Sequence, residues 1–195
     1  MNRLAHIRSF PAVIAGLLLS VAAAVAAVLL VEPPTKGPAS LQATMDEVAR
    51  RWPQIGHVAP AKLASMLEGG QVLLFDVREG PEYEVSHIPG AIHISPESAP
   101  AELLARFGNG VKDKTVVFYC SVGMRSSQFA ARVAEGLKAR GVEAVDDLAG
   151  GIFAWHNEGR TLVDATGPTP FVHPYDASWG RLLSHQDLLR TLARR

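Results

Sequence analysis

Two apolar runs without polar alternation, "QVLLFDV" at 71–77 and "TVVFY" at 115–119, constrain the fold more than any other feature of the chain. Such runs are typical of parallel strands that are covered on both faces, whereas a strand with one face in water alternates apolar and polar residues. Segments with helical periodicity separate the runs. This alternation predicts an open α/β sheet, with further short strands at "GAIHI" and "VEAV" and helices at "PAKLASMLEGG" and "AELLARF".

The apolar segment at residues 10–31 is of a different kind. Its 22 residues carry no charge, which is long enough for a helix to cross a hydrocarbon core of about 30 Å. We expect a single-pass transmembrane helix within 1–31, and the alternative is a secretory signal peptide cleaved near the alanines at 22–24. Because Arg3 and Arg8 precede the segment, the domain would lie on the extracytoplasmic (periplasmic) side, or be secreted after cleavage.

Residues 32–57 form a predicted linker with a short helix. The linker begins with the proline-rich "EPPTKGPAS", which is typical of a semi-extended spacer. Thr44 and Glu47 are placed as a possible capping box. Apolar residues at helical spacing predict a helix that packs on the domain: Leu41, Met45, Val48 and Trp52.

Composition excludes several classes of protein. The chain has 195 residues, 48% of them hydrophobic, which suits one modest domain with attached segments. It has 19 basic and 19 acidic side chains and no basic stripe, so we expect no nucleic-acid partner. A single cysteine rules out an internal disulfide framework, and the histidines lack metal-ligand spacing, so we expect neither a metal nor another cofactor.

The single cysteine, Cys120, lies where the strand at 115–119 ends and a helix begins near Arg125. Gly123 supplies the backbone freedom for a sharp turn between the two. Backbone N–H groups would converge on the loop centre and, with the helix N-terminus, favour an anion such as a thiolate there. The sequence therefore predicts a reactive nucleophile, and the alternative is that Cys120 is a small buried apolar residue.

Four stretches resemble the rhodanese-like sulfurtransferase family and occur in its order: "VAPAKLASML", "FDVREGPEYEVSHIPGAIHI", "VFYCSVGMRSSQFAA" and "DLAGGIFAWHNEGR". The resemblance covers roughly residues 57–163, and we expect the rhodanese-like domain at 58–163. It implies a central five-stranded parallel sheet with helices on both faces. It also implies that the loop cysteine takes a sulfane sulfur from a donor, holds it as a persulfide and passes it to an acceptor.

This resemblance implies that Cys120 is the catalytic residue. The rest of the loop would bind the substrate: Ser121, Val122, Gly123, Met124, Arg125 and Ser126. Six residues run from Cys120 to Arg125, as in sulfurtransferase members, whereas the loop of the related phosphatases is one residue longer. Ser121 departs from the basic residue that many thiosulfate-using relatives carry after the cysteine, which puts thiosulfate as the donor in question.

Three further polar residues are candidates for supporting roles. Asp76 and Arg78 follow a buried strand and could orient the loop by hydrogen bonds, or form a purely structural clamp. Glu82, like Arg125, could reach an incoming ligand. We do not expect Asp76 or Arg78 to be catalytic. His87 could act as a base, but transfer between a thiolate and a persulfide needs no proton acceptor, so we expect a structural role for it.

Residues 164–195 form a C-terminal extension outside the family pattern. Ser184 and Asp187 are placed to cap a short helix with Leu188, Leu189 and Leu192 on one side. We expect the extension to be strapped across the domain by aromatic side chains: Phe171, Tyr175 and Trp179. The alternative is a helix that contacts membrane headgroups or a partner.

The function that these patterns favour is a sulfurtransferase that works through a persulfide on Cys120. Its partners would be a small sulfane-sulfur donor, a thiol acceptor that could be a protein, and a membrane contacted through residues 10–31. Two other classes remain open. One is a non-catalytic binding or sulfur-carrier module with the same fold, and the other, disfavoured by loop length, is a cysteine phosphatase or oxyanion reductase.

Overall fold

Five parallel strands form the central sheet in a computed structural model that describes residues 39–70 and 72–194. Their order across the sheet is β1-β5-β4-β2-β3, which confirms the predicted parallel α/β architecture. The last strand begins later than "VEAV" predicts, because the Val142 N–H still donates to Leu137 O at the end of the preceding helix. The strand bounds are β1 Gly56–Val58, β2 Val72–Asp76, β3 Ile92–His93, β4 Thr115–Tyr119 and β5 Ala144–Leu148.

Seven α-helices are present in the described residues: α1 Leu41–Arg51, α2 Pro60–Glu68, α3 Gly80–Val85, α4 Pro100–Phe107, α5 Met124–Lys138, α6 Gly151–Asn157 and α7 Ala177–Gly180. Short 3₁₀ turns occupy Gly108–Gly110 and Gln186–Leu188. The expected anchor at 10–31 lies outside the described residues. Within them, none of the helices is both long and apolar enough to span a membrane.

The central strand β4 explains why its sequence lacks polar alternation. All five of its residues are buried. Val116 and Phe118 belong to the apolar cluster under α4 and α5, whereas Val117 and Tyr119 belong to the cluster under α2 and α6. The sheet is therefore covered on both faces, as the two apolar runs predict.

Helix α1 packs on the domain, as predicted, but its cap differs from the predicted one. Ser40 is the N-cap, and its Oγ accepts a hydrogen bond from the Ala43 N–H at 3.0 Å. The Thr44 hydroxyl instead donates to Ser40 O. Because Ser40 satisfies the first turn, the helix starts at Leu41 rather than after Thr44. Val48, which is 2% exposed, is among its buried residues.

The C-terminal extension packs against the domain, but the predicted helix over Leu188–Leu192 is wrong. After an antiparallel hairpin of β6 (Leu162–Asp164) and β7 (Gly167–Thr169), the backbone of Val172 exchanges hydrogen bonds with Leu188 and Arg190. This pairing with a distant segment uses the groups that a helix would need. Val172 and Leu183 are the buried apolar anchors of the extension, and Trp179 packs on the same apolar cluster as expected, whereas Tyr175 is exposed.

Candidate active site

Cys120 lies directly after β4, at the C-terminal end of the sheet, where the sequence predicts it. The backbone then turns at Gly123, whose φ of +100° favours glycine, and α5 starts at Met124. The Gly123 N–H donates to Cys120 Sγ at 3.2 Å. A backbone donor and the N-terminus of a 15-residue helix therefore both face the sulfur end of the loop.

The loop is held from behind by the start of α6. The N–H of Ile152 donates to Cys120 O at 2.9 Å, and the N–H of Phe153 donates to Ser121 O at 3.1 Å. A Cβ on Gly151 would lie 2.4 Å from Cys120 O, so only glycine allows this approach. These contacts satisfy the loop carbonyls and fix the direction in which the loop faces.

A buried carboxylate binds the two terminal guanidinium nitrogens of Arg125. Arg125 Nη1 and Nη2 each donate to an oxygen of Glu82 at 2.8 Å, and Glu82 is 3% exposed. The Ser121 hydroxyl donates to the same carboxylate at 2.9 Å. Burial acts to raise the pKa of Glu82, but the hydrogen bonds and positive charge of Arg125, with the charge of Arg78, together outweigh it and lower that pKa. The loop's cation is therefore already paired within the protein.

Asp76 and Arg78 form a fully buried ion pair that contacts α3. Arg78 donates to both Asp76 oxygens, at 2.9 Å from Nε and 2.6 Å from Nη2. It also donates to the backbone carbonyls of Glu82 and Ser86. Among the described residues, neither side chain hydrogen-bonds to the cysteine loop. Of the two predicted alternatives, the structure has the clamp, which holds the segment that carries Glu82.

A cavity of about 190 Å³ opens in front of the loop. Two residues of its wall, Tyr175 and Trp179, come from the C-terminal extension, and the Tyr175 ring centroid lies 4.9 Å from Arg125 Cζ. The sequence predicts both aromatics as strap residues and misses this position. The sequence signal for an ordered turn here is that aromatic residues flank Asp176, a residue type that commonly caps a helix N-terminus. The remaining wall is made by loop residues: Cys120, Ser121, Val122, Met124 and Arg125.

Behind the loop lies a buried carboxylate that the sequence interpretation did not single out, Asp147 on β5. It is 0% exposed, and its Oδ2 would lie 3.0 Å from a Cβ on Gly123. His57 Nδ1 lies 3.8 Å from the same oxygen. Burial raises the pKa of Asp147 to about 6. The Ser126 side chain is fully buried and does not line the cavity, so its predicted part in substrate binding, through its backbone N–H, stays a prediction.

In the described part of the chain, no group of three or more His, Cys, Asp or Glu side chains is arranged to hold a metal ion.

A comparison with known families decides which fold family this arrangement represents. The rhodanese-like domain family matches residues 59–158. The chain belongs to this family. The match ends before the extension, so the rhodanese-like domain contains the cysteine loop, Glu82 and Asp147, whereas Tyr175 and Trp179 lie outside it.

Curated relatives of this rhodanese-like chain include sulfurtransferases. Over 103 residues it is 36% identical to the "Probable adenylyltransferase/sulfurtransferase MoeZ" of Mycobacterium tuberculosis, a match that covers 50% of this chain and 24% of MoeZ. Over 101 residues it is 32% identical to the thiosulfate sulfurtransferase GlpE of Shewanella oneidensis, covering 51% of this chain and 91% of GlpE. The chain thus spans about a quarter of MoeZ and most of GlpE. These relatives support membership of a sulfur-transfer family.

Among solved structures, the chain is similar to a rhodanese-like domain protein from Staphylococcus aureus. The TM-score is 0.42 and the identity 31%, over 56% of this chain and 98% of that one.

Proposed function

We propose that the protein is a sulfurtransferase that carries a sulfane sulfur as a persulfide on Cys120. The observation that carries this proposal is the position of Cys120. Its sulfur lies at a strand C-terminus, accepts the Gly123 N–H at 3.2 Å, and lines a cavity although the residue is 1% exposed. A sulfur that is shielded from bulk water but open to a small ligand suits the storage of a reactive persulfide.

The transfer would proceed in two displacements at sulfur. In the first, the Cys120 thiolate attacks the outer sulfur of the donor, a new S–S bond forms, and the donor's own bond to that sulfur breaks. Its electron pair leaves with the remaining part of the donor. In the second, an acceptor thiolate or cyanide attacks the outer sulfur of the persulfide, and the Cys120 thiolate is released. Neither step needs a general base, and no histidine is among the described residues that line the cavity.

The protein groups that support these steps are mostly backbone donors. The Gly123 N–H and the N-terminus of α5 face the sulfur, where negative charge resides before and after transfer. The hydrogen bonds from Ile152 and Phe153 to the loop carbonyls fix the orientation of the loop. Through its bond to Ser121, Glu82 fixes the side of the cavity next to the nucleophile.

Loop length supports sulfur rather than phosphate as the group transferred. The segment from Cys120 to Arg125 holds six residues. In addition, the two terminal guanidinium nitrogens of Arg125, which could bind phosphate oxygens, are bound to Glu82. A phosphatase reaction would need this pair to separate.

The test is sulfur transfer from thiosulfate, 3-mercaptopyruvate and a low-molecular-weight persulfide to cyanide. Because the nucleophile is used covalently, Cys120→Ser should abolish transfer from every donor, since an alkoxide of far higher pKa cannot store the sulfur. Ser65→Ala, a change on the exposed surface of α2 and outside the cavity wall, is the matched control and should keep wild-type rates. Transfer retained by Cys120→Ser would contradict the mechanism. No transfer by the wild type from any donor would favour the binding module.

We further propose that residues 10–31 anchor the protein in a membrane with the domain on the extracytoplasmic side. The 22 uncharged residues and the preceding Arg3 and Arg8 support this. A reporter that matures only outside the cytoplasm, fused after Arg195, should be active, and the chain should fractionate with membranes. If it is secreted after cleavage, the reporter will be active but the chain soluble. A reporter that is inactive there but active in the cytoplasm would contradict both topologies.

A further inference from the structure

The outer wall of the cavity is built by a short, ordered turn of the C-terminal extension. Asp176 caps α7, and its carboxylate accepts hydrogen bonds from the N–H groups of Ser178 and Trp179 at 2.7 and 2.8 Å. Tyr175, one residue earlier, has a φ of +65°, a conformation that is unfavourable for an aromatic residue. Its N–H donates to His173 Nδ1 at 3.0 Å. The turn therefore holds two aromatic side chains in defined positions at the mouth of the cavity, at the cost of a strained backbone.

Anchors away from the cavity hold this turn against the domain. Val172 is fully buried, and Asn157 on α6 donates to Leu182 O at 2.9 Å and accepts the Ser184 N–H at 2.8 Å. Gly180 packs closely on Pro174, where a Cβ would approach to 2.8 Å. The aromatic wall thus belongs to the folded domain and is not a loosely attached tail.

The charge in the cavity wall is balanced. Arg125 is the sole cation between residues 120 and 126, and Glu82 binds it through two hydrogen bonds. Its planar guanidinium group also faces the ring of Tyr175 at 4.9 Å. A small dianion such as thiosulfate would therefore meet a cation whose charge and two terminal nitrogens are already engaged by Glu82.

The rest of the wall is apolar and of suitable size for a ring. Besides Tyr175 and Trp179, it contains Val122 and Met124. The volume is about 190 Å³, and an apolar protein cavity of about 150 Å³ is known to hold benzene. Aromatic rings pair favourably with tyrosine and tryptophan, and thioethers also contact rings well.

We propose that the preferred donors are organic sulfane-sulfur compounds whose sulfur is carried on an aromatic or similarly sized apolar group, which Tyr175 and Trp179 bind. This inference rests on the proposed sulfur transfer and names the substrate class of the same site. Both residues lie outside the part of the chain that matches the family, 59–158. They therefore determine specificity, while the loop performs the chemistry.

The step can be written for benzenethiosulfonate. The Cys120 thiolate attacks the terminal sulfur of the donor and forms the persulfide, and the S–S bond of the donor breaks. Its electron pair leaves with benzenesulfinate. Cyanide then takes the outer sulfur as thiocyanate and restores the thiolate, so no oxidant, reductant or added proton is needed.

The experiment compares benzenethiosulfonate with methanethiosulfonate, which has the same terminal sulfur and the same charge but no ring. The kcat/KM for thiocyanate formation by the full chain is measured for both donors and for thiosulfate. The reactivity of each donor with glutathione serves as the reference for intrinsic chemistry. After that correction, the wild type should favour the aromatic donor by roughly tenfold or more, and thiosulfate should be the poorest of the three.

Variants identify the residues responsible. Tyr175→Ala and Trp179→Ala should each lower the kcat/KM for the aromatic donor several-fold more than the kcat/KM for methanethiosulfonate. Tyr175→Phe should keep the preference, because the ring and not the hydroxyl is used. Phe171→Ala is the matched control, since Phe171 lies in the same extension but outside the cavity wall, stacked with Arg190.

The outcomes separate this inference from the proposed function. Transfer from all three donors with no corrected preference for the ring would overturn the inference and leave sulfur transfer intact. A preference that survives both alanine substitutions would overturn the role of Tyr175 and Trp179. No transfer from any donor would contradict the proposed function itself, and the inference with it. If an alanine variant fails to fold, the wild-type donor ratio alone decides whether the proposed donor class is right.

Discussion

The two walls of the cavity are built by different physical means. The inner wall is a loop fixed by backbone hydrogen bonds, by the buried Glu82 and, one layer further in, by the fully buried ion pair of Asp76 and Arg78. The outer wall consists of two aromatic side chains on a short turn, and one of them, Tyr175, is 47% exposed. Loss of the buried ion pair beneath the inner wall should therefore affect folding, whereas changes in the outer wall should alter which donors are used.

The largest effect that tests this contrast is expected for Arg78→Ala. This change leaves Asp76 as a fully buried carboxylate without its partner, and breaking a buried pair in this way typically costs about 3–5 kcal/mol of stability. It also removes the hydrogen bonds that hold the carbonyls of α3. Urea denaturation measures the effect.

The control for that variant is Arg50→Ala. Arg50 pairs with Glu47 on the surface, where its side chain is 72% exposed, so its loss should cost under about 1 kcal/mol. Similar losses for the two variants would contradict the view that the buried clamp holds the inner wall together.

A smaller effect is expected from Asp147, which lies behind the loop. Burial raises its pKa from 3.8 to about 6, so between these values the folded protein binds more protons than the unfolded chain, and stability falls as the pH rises. The pKa of His57 is also raised, chiefly by Asp147 and against the effect of burial. Protonated His57 therefore stabilises the fold below its unfolded pKa, near 6.5, and this contribution is lost as the pH rises through its pKa in the folded protein. Asp147 and His57 thus change stability with pH in the same direction.

Between pH 5 and pH 7.5 the free energy of unfolding should therefore fall by about 1–2 kcal/mol from these two groups. Asp147→Asn removes the carboxylate and with it the main cause of the His57 shift, so it should flatten this dependence. Denaturation curves at the two pH values measure it. The pKa of Glu82 is lowered, so its titration lies below this range. An unchanged slope in the variant would rule out Asp147 as the source.

The smallest effect is a change in donor preference on the inner wall. Glu82→Gln removes the charge that occupies Arg125, so the guanidinium should become available to an anionic donor. We expect the kcat/KM for thiosulfate to rise several-fold relative to that for methanethiosulfonate, measured as thiocyanate formation. Ser121→Ala is the matched variant, because it removes the hydrogen bond to Glu82 and the one from Arg125 Nη2 but leaves the ion pair. If Glu82→Gln and Ser121→Ala change the ratio of kcat/KM for thiosulfate to that for methanethiosulfonate equally, the charge of Glu82 does not control donor preference.

The parts of the molecule that depend on local patterns were predictable. The runs at 71–77 and 115–119 have no polar alternation because both sheet faces are covered, and they contain β2 and β4. The position of Cys120 follows from the same pattern, since a strand, a glycine and a helix succeed one another within a few residues. These features need no knowledge of distant contacts.

The parts that depend on distant contacts were not predictable from local patterns. Glu82 and Arg125 are separated by 43 residues, and nothing in the spacing of either residue indicates that they pair. The helix predicted over Leu188–Leu192 has good local signals, yet the segment pairs with Val172 instead. The wall formed by Tyr175 and Trp179 was missed for the same reason, because it depends on how the extension returns to the loop.

The most direct test of the central claim is intact-protein mass spectrometry after incubation with a sulfane-sulfur donor and removal of excess reagent. The account predicts the addition of one sulfur atom, which peptide mapping locates on Cys120 and which cyanide removes. Cys120→Ser should gain no sulfur under the same conditions. A wild-type chain that gains no sulfur from any donor, or a Cys120→Ser chain that still does, would contradict the account.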